Sequence, residues 1–116
     1  MNIATIMWPA IIEFEADDEL LFIADAAQWK GDSDLYAVDY HPSDILIDAA
    51  GVIYHLNHQS DGKVIPQSTE QVIELSSAIE LVKAHFSAIG ACCSAKLSAR
   101  SFEELFEMVG KSDFDR

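Results

Sequence analysis

The chain has 116 residues, half of them apolar, and carries 20 acidic against 7 basic side chains, a net charge of −13. That length suits one domain with its own core, and the apolar content excludes a disordered chain. The negative charge disfavours direct binding to the phosphates of nucleic acid, and no apolar run reaches the roughly 18 residues of a membrane span.

The acidic charge lies mostly in the first half of the chain. Residues 1–62 hold 12 acidic residues and one base, Lys30, whereas residues 63–116 hold 8 acidic and 6 basic residues. An acidic face can bind a basic protein partner, or it can serve solubility alone. The apolar N-terminal stretch lacks the positive residues that precede a secretory signal, so we expect a cytoplasmic protein without membrane association.

The first third of the chain has the period of strands. WPAIIEFE alternates with a period of two after Pro9, ADDE predicts a turn, and the four apolar residues of LLFIAD predict a more central strand. AAQWKGDSD indicates a helical turn that ends at Gly31. LYAVDY places Tyr36, Val38 and Tyr40 in phase, which predicts a further strand.

A hairpin and a long helix are expected next. In DILIDAAGVIYHLN two alternating segments flank a turn whose Gly51 can take the left-handed conformation. STEQVIELSSAIELVKAHFSAIG then predicts an amphipathic helix that begins with a capping box of Ser68 and Gln71 and ends at Gly90. Its apolar stripe comprises Val72, Leu75, Ile79, Val82, Phe86 and Ile89.

The last third predicts a strand and a second helix. ACCSAKLSAR alternates with a period of two, and SFEELFEMVG predicts a helix capped by Ser101 and Glu104 and ended at Gly110. The order β-β-β-β-β-α-β-α predicts an α+β fold with a mostly antiparallel sheet of about five or six strands and two helices on one face. We expect a single domain over residues 1–116, with residues 1–7 and 111–116 frayed.

Two stretches resemble a known family. They are the Trp-Pro start with its Asp-Asp-Glu turn, and the Pro-Ser-Asp…Ile-Asp…Gly segment from Pro42 to Gly51. Both are similar to a group of small, acidic, uncharacterised bacterial proteins, found mainly in gamma-proteobacteria and classed as a domain of unknown function. The resemblance runs from Trp8 almost to the end. It implies a small single-domain bacterial protein and supplies no catalytic residue, ligand or partner.

Histidines and cysteines are the natural candidates for a reactive site. His55 and His58 lie three apart on a predicted strand, so they should point to opposite faces and should not share a metal ion. Adjacent Cys92 and Cys93 do not match a disulfide framework or a paired zinc spacing. Cys92, near Lys96, is either a harmless exposed thiol or a redox-active one. We therefore expect no metal, no cofactor and no catalytic residue.

Three residues remain as possible interaction or ligand contacts. Trp29 is either an exposed anchor for a partner or a side chain folded back over the sheet edge. His41 and His55 are placed on the polar sheet face, where Glu13, Glu15 and Asp48 could supply a carboxylate for an acid–base pair.

The favoured hypothesis is a non-enzymatic module that binds proteins through its acidic half. The alternative is a small enzyme or ligand-binding protein that uses His41 and His55. Oligomeric state is not predicted.

Overall fold

A computed structural model describes residues 5–58, 62–90 and 96–114 of the chain. Its strands are β1 (Ala10–Glu13), β2 (Leu20–Ile23), β3 (Ile45–Ile47), β4 (Val52–His58) and β5 (Val64–Val72). Its helices are α1 (Ala26–Gly31), α2 (Asp34–Ala37), α3 (Leu75–Ala88) and α4 (Phe102–Phe114). Within these ranges no helix combines the length and the apolar content that a bilayer crossing requires.

The strands form one antiparallel sheet in the order β2-β1-β3-β4-β5. Chain order and sheet order differ because α1 and α2 carry the chain from the edge strand β2 back to β3, which pairs with β1. The predicted α+β fold with a mostly antiparallel sheet is confirmed, and the order of its elements agrees roughly with the prediction.

Both faces of the sheet carry a core, because alternate residues of a strand point to opposite sides. Helices α3 and α4 cover one face, as predicted for two helices, in a cluster formed by Ile11, Leu20, Ile47, Ala78, Val82, Leu105, Phe106 and Val109. The short helices α1 and α2 lie over the other face, in a cluster that includes Ala10, Ile12, Ile23, Trp29, Leu35, Leu46, Tyr54, Leu56 and Val64. Continuous apolar runs such as Ile45–Ile47 follow from this two-sided burial.

Asp48 is a buried carboxylate at the end of β3, with 1% of its surface exposed. Its Oδ1 accepts the backbone N–H groups of Ala50 and Val52, both at 3.0 Å, which fixes the turn into β4. Its Oδ2 accepts the N–H of Met7 at 3.1 Å and the hydroxyl of Tyr54 at 2.9 Å. One side chain thus joins the N-terminal segment, the hairpin turn and β4, which places Asp48 in the core and not on the polar sheet face that we expected.

Side chains accept two backbone N–H groups along the edge strand β2, one at its first residue and one just after its last. The N–H of Leu20 donates to Nδ1 of His85 at 2.9 Å, and His85 is 1% exposed on α3. Because Nδ1 accepts this bond, the ring carries its hydrogen on Nε2. Beyond the other end of β2, the N–H of Ala24 donates to Oε1 of Gln28 at 2.8 Å. The first of these bonds also ties α3 to the sheet.

Two predictions for the first half of the chain were wrong. The LLFI segment is an edge strand and not a central one. Its four residues are apolar because both faces are covered, with α4 next to Leu20 and Phe22 and the other core cluster next to Leu21 and Ile23. Residues 35–37 of the predicted LYAVDY strand lie in the helix α2, which is closed by bonds from the N–H groups of Tyr36 and Ala37 to the carbonyl of Ser33. The alternation of Tyr36, Val38 and Tyr40 does not reflect a strand.

The start of the long helix was also wrong. Ser68 and Gln71 lie in β5, which pairs with β4, and α3 begins at Leu75. Val72, assigned to the helical stripe, is 64% exposed at the end of β5. Pairing with β4 runs from Val64 to Ser68 and resumes at Val72 after an irregularity, and it outweighs the helical signal of residues 68–72. The end at Gly90 is confirmed by its left-handed φ of 79°.

After Gly90, the structure differs from the prediction at both the expected strand and the expected second helix. Cys92 and Cys93 lie outside the described residues, and the described part of their predicted strand, residues 96–100, has no strand structure. The Ser101 cap of α4 is confirmed, because the N–H of Glu104 donates to Oγ of Ser101 at 3.1 Å. The Glu104 carboxylate accepts the N–H of Arg100 at 3.3 Å, one residue before the position that a capping box requires. Gly110 does not end α4, which continues to Phe114. At that position a Cβ would lie 2.7 Å from the ring of Phe22, so the glycine allows the helix to approach β2.

Residues 6 and 7, at the end of the segment that we expected to fray, lie against the rest of the fold. Ile6 is 4% exposed and belongs to the core cluster on the α1–α2 face. The hydrogen bond from Met7 to Asp48 holds the same segment against the hairpin turn.

Replacing Asp48 should strongly destabilise the fold. We expect Asp48→Ala to lower the free energy of unfolding by about 3–5 kcal/mol, because buried donors lose a charged acceptor, and Asp48→Asn to lower it by about 2 kcal/mol, because its NH₂ group would replace one acceptor oxygen. Urea unfolding would measure both, with exposed Asp39→Asn as a control that changes stability by less than about 0.5 kcal/mol. Equal stability of Asp48→Asn and the control would contradict this role.

Gly51 should tolerate no side chain, for two separate reasons. Its φ is +82°, and a Cβ would lie 2.8 Å from the ring of Phe102 and 3.1 Å from the carbonyl oxygen of Ile73. Gly62 has a similar φ of +85° with open space around it, so Gly62→Ala measures the backbone penalty alone. We expect losses of about 1 kcal/mol for Gly62→Ala and about 2–4 kcal/mol for Gly51→Ala in the same unfolding assay. Equal losses would show that the contact with Phe102 does not matter.

Candidate functional site

One end of the sheet gathers most of the polar and aromatic side chains that the sequence singled out. Glu13 at the end of β1 pairs with Leu20 at the start of β2 and with Ile45 at the start of β3. The same end receives the last residues of β4 and the first of β5, where His58 pairs with Val64. We call the carboxylates of Glu13, Glu15, Asp17, Asp18 and Glu19, on β1 and its turn into β2, the acidic end.

Asp44 positions two of the side chains at this end. It is 4% exposed, and its carboxylate accepts the N–H of Glu15 at 2.6 Å and the N–H of His41 at 2.7 Å. Nδ1 of His41 accepts the N–H of Ser43 at 3.0 Å, which orients the ring. As a result Nε2 of His41 lies 3.9 Å from a carboxylate oxygen of Glu15, with about half of each side chain exposed (52% and 49%).

An aromatic row crosses the same end of the sheet, formed by Phe14, Tyr40 and His58. The rings of Phe14 and Tyr40 are parallel with their centroids 6.3 Å apart, and the rings of Tyr40 and His58 lie 6.1 Å apart. The hydroxyl of Tyr40 donates to the carbonyl of Leu35 at 2.8 Å, and Nε2 of His58 lies 3.0 Å from the carbonyl oxygen of Tyr36. Hydrogen bonds to α2 therefore fix two of the three rings.

The electrostatics of this end are those of crowded negative charge. Burial, and then the charge of Asp18, raise the pKa of Glu13. Burial also raises the pKa of Tyr40 to about 12, with further contributions from Asp44, Asp32 and Tyr36. Burial is the larger cause of each shift, and the neighbouring carboxylates add to it.

The structure places the candidate histidines apart from one another. His55 and His58 lie on the regular strand β4 and differ by three positions, so their side chains emerge on opposite faces. His41 lies in the loop after α2 and not in a strand, and in the described residues no hydrogen bond or ion pair joins it to His55. The carboxylate that His41 meets is Glu15, one of the three expected. Asp48 is held in the core instead.

Trp29 is buried and is not an exposed anchor. It is 1% exposed, and its ring meets that of Tyr36 edge-on with centroids 6.0 Å apart. The side chain is folded back against the sheet, because the one turn of α1 directs it into the core on that face. Of the two interpretations of Trp29, its burial agrees with the side chain folded back over the sheet and not with an exposed anchor.

Sequence reasoning missed Asp44 and His85. Asp44 and Asp48 bracket β3, and both belong to the Pro-Ser-Asp…Ile-Asp…Gly segment, so a signal for them was present. An aspartate directly before and another directly after a short apolar run indicates side chains that accept turn N–H groups. His85 carried no such signal, since its acceptor role depends on Leu20, 65 residues away.

The chemistry available at this end is ionic and aromatic. Within the described ranges no group of three or more His, Cys, Asp or Glu residues is arranged to hold a metal ion. The His41–Glu15 pair is exposed to water, which screens it and leaves it with weak mutual attraction. Carboxylates beside aromatic rings suit the binding of a cationic group.

Comparison with known proteins identifies the family of the chain and a solved structure with a similar fold. The family model DUF4144, described as protein structure with unknown function, matches residues 8–109. The chain belongs to this family. The match confirms the expected resemblance to a family of unknown function, which we placed from Trp8 almost to the end of the chain.

A solved structure has a similar fold. The NMR structure of the protein from Shewanella Amazonensis, a gamma-proteobacterium, superposes with a TM-score of 0.66 at 18% sequence identity, covering 96% of the DUF4144 chain and 93% of the other. At this identity the similarity concerns the fold. No curated protein matches the DUF4144 chain.

Removing the charge of Glu13 should stabilise the DUF4144 chain at neutral pH. A carboxyl group whose pKa is higher in the folded protein than in the unfolded chain weakens the fold as it ionises, so stability falls as the pH rises above the ordinary Glu value of 4.5. We expect Glu13→Gln to raise the Tm by about 1–3 °C at pH 7 and to leave it unchanged at pH 4. Exposed Glu74→Gln is the control. A lower Tm for Glu13→Gln at pH 7 would contradict the shift.

Proposed function

We propose that this domain is a cytoplasmic, non-enzymatic module that binds a basic segment of a partner protein through the acidic end of its sheet. The observation that carries the proposal is the placement of the five carboxylates of the acidic end on β1 and its short turn into β2, where the charge of Asp18 adds to the burial that raises the pKa of Glu13. Carboxylates that oppose one another's ionisation gain free energy when a cation approaches. A basic partner would supply that cation.

The distribution of charge along the chain supports the same proposal. Residues 1–29 contain no Lys or Arg, so the acidic end receives no basic side chain from its own strands or from the turn between them. A negative field of this kind steers a positive partner and makes its association depend on salt.

The rigidity of the site supports binding with a defined geometry. The carboxylate of Asp44 fixes the backbones of Glu15 and His41, and the side chain of Asp17 accepts the N–H of Glu19 at 2.9 Å. Backbone positions that are fixed before binding lose less conformational entropy when a partner docks.

The alternative of a small enzyme or ligand-binding protein has weaker support. It needs His41, His55 and a carboxylate around one pocket. His41 instead meets Glu15 on a surface where both side chains are about half exposed, and His55 is exposed on β4. Proton transfer at a substrate requires groups held within hydrogen-bond reach of it, and two separate wet histidines do not provide that arrangement.

A salt titration with a defined cation tests the proposal. The full chain is titrated with hexa-lysine by calorimetry at about 20 mM and about 300 mM salt, and backbone NMR shifts map the contact. We expect binding that weakens at least ten-fold at the higher salt, with shifts centred on residues 13–19 and His41.

Two variants of equal charge separate a local site from a general effect of net charge. Glu15→Gln with Asp18→Asn removes two charges from the acidic end. Glu74→Gln with Glu103→Gln removes two exposed charges elsewhere, one after β5 and one in the first turn of α4. We expect the first pair to weaken binding about three-fold more than the second. Equal effects, or no binding at low salt, would refute the proposal.

A further inference from the structure

His85 is a titratable side chain buried between α3 and the sheet. It lies in the last turn of α3 and is 1% exposed, with its ring centroid 5.4 Å from that of Phe86. Its Nδ1 accepts the N–H of Leu20 at 2.9 Å, although the two residues are 65 positions apart in the chain. This hydrogen bond joins the end of α3 to the first residue of β2.

The same bond replaces a missing neighbour of the edge strand. Leu20 lies opposite Glu13 of β1, and its N–H turns away from β1 to reach His85. Among the described strands, none lies beyond β2 on that side. The imidazole ring therefore accepts a donor that a further strand would otherwise bind.

A histidine ring can accept a hydrogen bond at Nδ1 only while that nitrogen carries no hydrogen. Protonation converts Nδ1 into a donor, and two N–H groups cannot face each other at the distance of a hydrogen bond. The folded chain can therefore take up this proton only if the ring moves away from Leu20.

Charged side chains occur on each element around His85. On the sheet, Glu13 lies opposite Leu20 and two residues after the buried Ile11, so its side chain is on the face that α3 and α4 cover. The remaining charged groups are Glu80 and Lys83 on α3, which pair at 3.2 Å, Glu19 directly before Leu20, Glu103 and Glu104 in the first turn of α4, and Glu107 and Lys111 where α4 meets Phe22.

These charges do not change the conflict between the two donors. Ionised carboxylates attract an imidazolium ion, and Lys83 and Lys111 repel it. Neither effect lets a protonated Nδ1 accept the N–H of Leu20. The hydrogen bond itself therefore makes the contact between α3 and β2 sensitive to pH.

We propose that His85 is a pH-sensitive switch, in which proton uptake breaks the bond to Leu20 and releases the end of α3 from β2. The unfolded chain binds this proton at the ordinary histidine value of about pH 6.5, whereas the folded chain with the bond intact excludes it. The stability that the bond contributes is therefore fully present above that pH and is lost as the pH falls below it. This inference is independent of the proposed function.

Comparison with His85→Asn tests the switch in the full chain. The side-chain oxygen of asparagine can accept the N–H of Leu20 from a position close to that of Nδ1, and it does not titrate. Urea unfolding at about pH 7.5 and about pH 5.5 gives the folding equilibrium constants of both proteins, and their ratio cancels the titration of groups that they share. We expect the ratio of wild type to variant to fall about ten-fold. A constant ratio would overturn the proposal.

Glu13→Gln separates the hydrogen bond from the charge of the carboxylate opposite Leu20. We expect the ratio of folding constants, with and without His85→Asn, to fall by the same factor in this background to within about three-fold. A ratio that no longer depends on pH would assign the effect to Glu13 and overturn the switch.

NMR of the wild-type protein gives a second test that does not require His85→Asn to fold. At about pH 6, where a histidine in water is mostly protonated, we expect Nδ1 of His85 to carry no hydrogen and the Leu20 amide to be protected from exchange. On further acidification, protonation of the ring and loss of this protection should occur together. A ring that is protonated at about pH 6 while the Leu20 amide stays protected would contradict the proposal.

Discussion

The burial of two carboxylates around a three-residue strand is the constraint on which this fold depends. β3 is the central strand of the sheet, yet it contributes only Ile45–Ile47, too few residues to fix its own position by ladder bonds. Asp44 before it and Asp48 after it accept N–H groups from the β1–β2 turn, the N-terminal segment and β4. A buried carboxylate is stable only with such donors, so each aspartate requires those segments to be in place.

Local signals in the sequence predicted the elements that depend on local interactions. The β3–β4 hairpin with left-handed Gly51 and the capped start of α4 were found because turn and cap residues lie within a few positions of one another. β5 was missed because its stability comes from pairing with β4, while Ser68 and Gln71 match a capping box and Val72 continues the apolar stripe of α3. α2 was missed because four residues are too few for a period of 3.6 to appear.

At the candidate site, too, the sequence predicted what depends on neighbouring residues and missed what depends on distant ones. Period two along β4 was enough to predict that His55 and His58 diverge. The meeting of His41 with Glu15 was named among three possible carboxylates, but its cause was not, since Asp44 holds a backbone group 29 residues away. The acidity of the first half is plain from composition. Its concentration at one end of the sheet, beside a row of aromatic rings, follows from a topology that the sequence did not reveal.

The side-chain acceptors along β2 have a consequence for how copies of this protein behave towards each other. An edge strand with unpaired N–H and C=O groups can pair with a strand of another chain, and such pairing leads to aggregation. His85 and Gln28 occupy two of the donors that such an addition would use. At the opposite edge, Pro66 lacks an N–H and Glu70 bends β5 with a φ of +65°. Damage to the His85 contact would therefore open a route to aggregation as well as loosen a helix.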